Sequence, residues 1–385
     1  MKIGMVSDTF HPKVGGAEIH VKELSKALRN RGHEVSVLTF TDGNDTVEEL
    51  PVTRLQYSPW DPTTGVATLL TNDIGKIAAF IRNHDLIHTH YTFMSSAIVG
   101  VLSSILRTPM VTTLHGLGTL DSSVSDSVHK KTFRRLSFLS TQRIISTSEE
   151  MASVAERYVP DDIITVIPNA VDTGYFKPQG HQDSGETLTI LSVRRLNPKN
   201  GVQYLIDASP TICERVEDVE IIIAGNGGKD EMMEYLKNRV VEHGTEEHIS
   251  FLGEVPNEQT RDLYDRSDIV VFPSSAESTS IACLEAMSMQ CAVVASDISA
   301  YRSMLGSGKR GVLVELFDRN TSDYDAPMIL PEERIQSLAE SIISLYENPE
   351  RRQNLGREAR EYVVTNHDWS IIAEKIEEEY YSVHG

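Results

Sequence analysis

Glu277 and Glu285 bracket the stretch ESTSIACLE, with only small or apolar residues between them. Just before it, Asp268-Ile269-Val270-Val271-Phe272-Pro273 reads as a buried strand stopped by a proline; just after it, Ala286-Met287-Ser288-Met289 reads as helix. One glutamate therefore sits in a strand-to-helix loop and the other more than a turn into the helix. Ser278, Thr279 and Ser280 occupy the expected helix start, where small side chains leave backbone N–H groups open and the helix dipole favours an anion. With a phosphate there, Glu277 reaches whatever lies beyond it and Glu285 can accept hydrogen bonds from ribose hydroxyls. The arrangement suits a nucleotide diphosphate sugar. Two ordinary solvated glutamates fit the same letters.

Other strand ends carry further candidates. Arg194-Arg195-Leu196-Asn197-Pro198-Lys199 follows an apolar run. Its three cations could clamp a diphosphate, arginine bidentately and lysine as a point charge, although a solvated basic turn would look alike. Gly225-Asn226-Gly227-Gly228 follows another run and offers flexible backbone near a base or ribose. Gly15-Gly16-Ala17-Glu18 precedes a helix, a place for a phosphate contact or a plain turn. It matches neither the G-x-G-x-x-G dinucleotide fingerprint nor a P-loop. His115, followed by Gly116, stands at a strand end where it could face a cleft, as a catalytic or an ordinary residue. His88 and His90 alternate along a strand end and suit the core.

The elements that must position these residues alternate along the chain. Strand-like runs fall at 3–7, 35–40, 86–88, 110–114, 143–147 and 163–167. Ala17, Val21, Leu24 and Leu28 share one helical face between the first two, making a βαβ unit. The polar, turn-rich stretch from Lys177 to Glu186 interrupts the pattern. A second series follows at 188–193, 219–224, 249–252, 268–272 and 292–296, and the tail is helical. Two α/β halves in tandem predict two parallel sheets with a cleft between them. The expected division is 1–178, a linker at 179–187, 188–366, and a C-terminal helix at 367–385 packing back toward the first half.

Composition excludes several classes. Lys and Arg number 36 against 56 Asp and Glu, a formal charge of −20 concentrated after residue 178, so a general nucleic-acid binder is not expected. No apolar run approaches the roughly 20 residues of a spanning helix. The start, Met1 to Val6, is too short an apolar run for a signal peptide. Cys213, Cys283 and Cys291 are the only cysteines and lack metal-ligand spacing, which favours a reducing cytoplasm.

Taken in order, these motifs resemble the retaining family-4 glycosyltransferases of the GT-B fold, over nearly the whole chain. The resemblance rests on Gly15-Gly16-Ala17-Glu18 with Arg31-Gly32-His33-Glu34-Val35, Asp85-Leu86-Ile87-His88-Thr89-His90, Leu114-His115-Gly116, and Ile167-Pro168-Asn169-Ala170-Val171-Asp172. In the second half it rests on Ile223-Ala224-Gly225-Asn226-Gly227, Phe251-Leu252-Gly253-Glu254-Val255 and the Glu-x7-Glu stretch. It implies two Rossmann-like, doubly wound domains and transfer of a hexose or N-acetylhexosamine from a nucleotide sugar with retention, without a metal or other cofactor. It implies that His115 faces the reacting sugar and that Arg194 or Arg195 with Lys199 holds the diphosphate. Glu277 contacts sugar hydroxyls and Glu285 the ribose, with Gly16, Gly225, Asn226, Ser278, Thr279 and Ser280 lining the donor. Gly15, Glu18 and Asn169 fall on the acceptor side. The acceptor expected is a glycan, a lipid-linked sugar or a small molecule. A nucleotide-sugar epimerase or hydrolase on the same fold, or a non-enzymatic binder, are the alternatives.

The sequence departs from the family in places. The usual spacing sets Lys five residues after Arg; here Arg194 reaches Lys199 and Arg195 reaches Asn200, so both arginines stay candidates. The usual Glu-Gly-Phe-Gly is Glu277-Ser278-Thr279-Ser280, which leaves the donor sugar open. Asp323-Tyr324-Asp325 matches a metal-binding D-x-D by letters but reads as a solvated loop. Residues 129–143 carry Lys130, Lys131, Arg134, Arg135 and Arg143 and no acid. A helix there, with those first four cations along one side and Phe133, Leu136 and Leu139 packed inward, predicts peripheral contact with the inner face of a membrane. An ordinary helix with a solvated face fits equally.

Overall fold

The computed structural model describes residues 1–13, 15–56, 72–90, 94–116, 128–180, 187–226, 230–318 and 328–384. The chain divides into two compact units, Met1–Ala170 with Trp369–Gly385, and Val171–Asp368. It thus leaves the first unit at Ala170 and not in the polar stretch 179–187. Val171 and Phe176 already lie in the second unit's apolar core. Asp172 turns the chain between them, its Oδ1 accepting from the N–H groups of Gly174 at 3.1 Å and Tyr175 at 2.9 Å.

The first unit is built on an eight-stranded sheet of order β3-β4-β2-β1-β5-β6-β7-β8. Its strands are β1 (Lys2–Ser7), β2 (Glu34–Thr39), β3 (Thr46–Val47), β4 (Leu50–Arg54), β5 (Leu86–His90), β6 (Met110–Leu114), β7 (Arg143–Ser146) and β8 (Ile164–Val166). All pairs are parallel except β3 with β4. β5 and β6 are buried along their whole length, as strands covered on both faces must be. The helix Gly16–Asn30 buries Ala17, His20, Val21, Leu24 and Leu28 and stops before Gly32, whose φ of +93° a side chain would oppose. The helix Trp369–His384 joins this unit's core through Trp369, Ile372, Ala373, Ile376 and Tyr380. Glu377 on that helix lies 2.5 Å from Arg31 Nη2 and from His33 Nε2.

The second unit holds a six-stranded, wholly parallel sheet of order β11-β10-β9-β12-β13-β14. The strands are β9 (Leu188–Val193), β10 (Val219–Ala224), β11 (Ile249–Gly253), β12 (Ile269–Phe272), β13 (Ala292–Ser296) and β14 (Val312–Val314). In each unit the winding reverses once, between β1 and β5 and between β9 and β12. Ligands of open α/β sheets bind at that reversal, beyond the carboxyl ends of the strands.

The basic helix, Val128–Leu139, corrects the expected membrane face. Arg134 is only 5 % exposed, with its guanidinium 4.7 Å from the centre of the Tyr158 ring. Phe138, one turn on, is buried and stacks on the same ring, whereas Leu139 is 74 % exposed. Positions 134 and 138 share a face at helical spacing, so the apolar stem of Arg134 packs inward with Phe138 and Leu139 turns out. Arg135 remains exposed; the side chains of Lys130 and Lys131 lie outside the described residues. So does the Asp323-Tyr324-Asp325 segment. No helix among the described residues is long and apolar enough to cross a membrane.

Candidate functional site

In the second unit the turn after β9 is fixed by two close approaches of backbone. Gly225, at φ +143°, follows β10, and a Cβ there would overlap the Arg194 carbonyl oxygen. Gly201, at φ +73°, ends the short turn Pro198–Asn200, and a Cβ there would overlap the Pro273 carbonyl oxygen. The Ser275 N–H then donates to the Lys199 carbonyl at 2.8 Å. Glycine at both positions thus lets the ends of β9, β10 and β12 crowd together.

Arg194 sits at the centre of that convergence. It is buried and forms an ion pair with Glu277. Nη1 donates to Ser280 Oγ at 3.0 Å, Nη2 to Ser274 Oγ at 2.5 Å and to Asn200 Oδ1 at 3.4 Å. The guanidinium also stands 5.5 Å from the Phe272 ring centre. Burial works against its charge, but the adjoining Glu277 carboxylate outweighs burial and holds the pKa above its usual value. The Glu277 side chain is 16 % exposed, so it is no solvated glutamate. Arg194 therefore braces Glu277, while Arg195 is exposed and Lys199 partly exposed, neither making an ion pair with a described residue.

The helix that follows spans Ile281–Ser288. Ser280 caps it, its hydroxyl accepting from the Cys283 N–H at 3.3 Å. The N–H groups of Ile281 and Ala282, on partly exposed residues, come before the first intrahelical bond. Ser278 is partly exposed and Thr279 buried. Glu285 is turned inward at 6 % exposure, its Oε2 accepting from the Tyr264 hydroxyl at 3.2 Å. Burial pushes its pKa up to about 8, the Tyr264 hydrogen bond opposing. Asn226 is exposed, its carbonyl accepting from the Leu196 N–H at 3.2 Å. Arg194, Lys199, Gly225, Glu277 and Ser280 thus gather at the carboxyl ends of β9, β10 and β12.

In the first unit the convergence is made of imidazoles. His115, just past β6, places Nε2 2.9 Å from His90 Nδ1 at the end of β5. His20 packs edge-on against His115, with ring centres 4.7 Å apart, and its Nδ1 lies 3.0 Å from Asn169 Oδ1. His88 is bonded on both sides, at 2.6 Å to the Tyr380 hydroxyl and 2.7 Å to Thr113 Oγ1. Burial lowers all four pKa values, His20 to about 4 and His88 to about 3. Gly15, extended at φ −168°, precedes the helix that begins at Gly16, and Glu18 in its first turn accepts from the Thr9 hydroxyl.

Two residues here escaped the sequence reading. His20 stands beside Val21 in the apolar stripe of its helix, and that histidine in a core stripe was the available signal. Asp8, directly after β1, is 3 % exposed, and burial raises its pKa to about 6. The nearby Ser95 hydroxyl opposes that rise, although neither carboxylate oxygen has a partner in strict hydrogen-bond geometry among the described residues.

Comparison with known proteins follows the same division. The family model described as Glycosyltransferase Family 4 matches residues 14–175, and that described as Glycosyl transferases group 1 matches 176–362. The phosphatidyl-myo-inositol mannosyltransferase of Mycobacterium tuberculosis is 27 % identical over 397 aligned residues, covering 100 % of this chain and 98 % of that protein. An uncharacterized glycosyltransferase of Methanocaldococcus jannaschii is 29 % identical, over 82 % of this chain and 85 % of its own length. The crystal structure of Anabaena HepE in complex with UDP and glucose superposes with a TM-score of 0.80 at 22 % identity, covering 99 % of this chain and 100 % of that one. Two family models in tandem, on two parallel-sheet units with their polar residues at the winding reversals, place the chain in family 4: it is a glycosyltransferase of the GT-B fold.

Proposed function

We propose that the protein transfers a hexose or N-acetylhexosamine, with retention, from a nucleoside diphosphate sugar to a hydroxyl of a lipid-linked acceptor. The observation that carries this is the Arg194–Glu277 pair beside the Ser280-capped helix. Arg194 fixes one side of the Glu277 carboxylate, which leaves its remaining lone pairs for sugar hydroxyls. Arg195, Lys199 and the N–H groups of Ile281 and Ala282 supply positive charge for the diphosphate. That charge counts most as the sugar–phosphate bond breaks and the leaving group becomes more negative. These cations and N–H groups serve the role a metal would fill, so transfer proceeds without one. Glu285 takes the ribose. In the first unit, His115 is assigned to the reacting sugar, Gly16 to the diphosphate or acceptor, and Gly15, Glu18 and Asn169 to the acceptor. HepE, described with UDP and glucose, supports a uridine or related donor. The phosphatidyl-myo-inositol mannosyltransferase supports an acceptor on a lipid.

The test incubates the purified chain with a panel of nucleotide sugars, with and without membrane lipid extract. One donor should be consumed, releasing nucleoside diphosphate and a glycosylated lipid only when extract is present. Lys199→Ala should slow this roughly 10²-fold, the scale of losing one transition-state donor. Turnover without extract would mean an epimerase or hydrolase, and binding without turnover a non-enzymatic protein. Co-sedimentation with anionic and neutral vesicles tests membrane contact: wild type should pellet with anionic vesicles at low salt, and a Lys130/Lys131/Arg135 to Ser variant should not. Equal, negligible pelleting of both would favour a soluble acceptor.

A further inference from the structure

Three imidazoles of the first unit meet without a carboxylate among them. One ring nitrogen from each of His20, His90 and His115 lies within 4.8 Å of the other two. We propose that these three side chains bind one divalent transition-metal ion of the zinc class.

The hydrogen bonds around the cluster favour this. An amide oxygen only accepts, so His20 Nδ1, facing Asn169 Oδ1 at 3.0 Å, carries the hydrogen, and His20 Nε2 keeps a bare lone pair. That atom is buried, on a residue 1 % exposed, and has no partner among the described residues. His90 is fully buried, and its Nε2 is also without a partner among them. An unpartnered polar atom in the interior costs free energy that a ligand would recover. A metal-bound imidazole characteristically donates its other N–H to a carbonyl oxygen, and Asn169 supplies that contact. Trp369, 5.2 Å from His20 between ring centres, and His88, 4.3 Å from His90, hold the rings from behind.

Three neutral imidazoles suit zinc, copper or nickel and not magnesium or calcium, which take oxygen. In a tetrahedral site with bonds of about 2.0 Å the nitrogens stand roughly 3.3 Å apart, so from within 4.8 Å of one another the rings need draw together by at most about 1.5 Å. His115 is partly exposed, which gives the ion a route in and leaves the fourth position to water. An ion here occupies His115, so on the reading above it restrains transfer and is not the reaction's cofactor.

The test uses the full chain, stripped with chelator and titrated with Co²⁺ alone as a visible probe, then with Zn²⁺ as competitor. One equivalent should bind with the absorption of a tetrahedral site. His20→Gln and His90→Gln should each weaken it at least tenfold, and His384→Gln, on the exposed C-terminal helix end, should not. X-ray absorption on the zinc-loaded wild type should show three imidazoles, a reading that needs no variant to fold. Fewer than three imidazoles, no bound equivalent, or affinities unchanged in both ligand variants would overturn the site. Binding as described with transfer unslowed by zinc would keep the site and instead remove His115 from the transfer reaction.

Discussion

The first unit gathers four histidines at the ends of β5 and β6 and in the facing helix, all held neutral by burial. The second gathers Arg194 and Glu277 at the ends of β9 and β12, where the Glu277 carboxylate holds the buried Arg194 guanidinium charged. Both lie at the reversal of a doubly wound sheet, so topology puts polar side chains there in each case. The chemistry differs because burial disfavours any lone charge but tolerates a hydrogen-bonded opposite pair. The difference lies in how each unit meets the same desolvation: the first with neutral imidazoles, the second with a hydrogen-bonded ion pair.

Breaking the pair in the second unit should have the largest effect. Glu277→Ala strands Arg194 in the interior, with a stability cost of about 3–5 kcal/mol in denaturant unfolding. Replacing both partners with apolar residues of similar volume should restore most of that stability and none of the activity. If Glu277→Ala alone is as stable as wild type, the pair is not what keeps Arg194 in place.

Glu285 sharpens the contrast, as a buried carboxyl of the second unit paired to a neutral hydroxyl. Its pKa rises from the ordinary 4.5 to about 8 on folding. The native chain thus holds a proton there that the unfolded chain releases, so stability is full below pH 4.5 and falls as pH rises through 8. Glu285→Gln should flatten that fall, gaining up to a few kcal/mol on wild type at pH 8 and little at pH 4. Melting curves across this range read it directly, and parallel curves for the two proteins would remove the buried-proton account. With the donor identified, the same variant should raise KM more than it lowers kcat, since a ribose contact is made equally before and in the transition state.

The smallest effect belongs to the imidazoles. Tyr380→Phe removes the 2.6 Å bond to His88 and leaves a buried ring nitrogen unsatisfied, at about 1–3 kcal/mol. No change in unfolding free energy would mean that His88 finds another partner.

Much of this arrangement is legible in the residues themselves. Every strand expected from an apolar run is present, most of them as parallel strands buried on both faces, which leave continuous apolar letters. β4 escaped because Pro51 interrupts it, and β14 because three residues make no pattern. The boundary at Ala170 was hidden because Val171 and Phe176 stand in a segment that looks like loop yet packs into a core. At the site, glycines and cations announce a strand end, but spacing does not say which of two adjacent arginines turns inward. Arg194 turns inward and Arg195 outward because the N–H groups of Arg194 and Leu196 bond to the Ala224 and Asn226 carbonyls and carry the alternation of β9 into the turn. His20 and Asp8 acquire meaning only from neighbours distant in sequence, Asn169 among them.

The most direct test of the whole account is the steady-state comparison of Glu277→Gln with wild type on the identified donor. Glutamine keeps the shape beside Arg194 but loses the charge, so folding must first be shown intact by its melting curve. The account predicts kcat lower by roughly 10²-fold with donor KM little changed, the mark of a contact that strengthens in the transition state. Wild-type kcat in a folded Glu277→Gln would contradict it, leaving Glu277 as a structural counter-ion for Arg194 and no more.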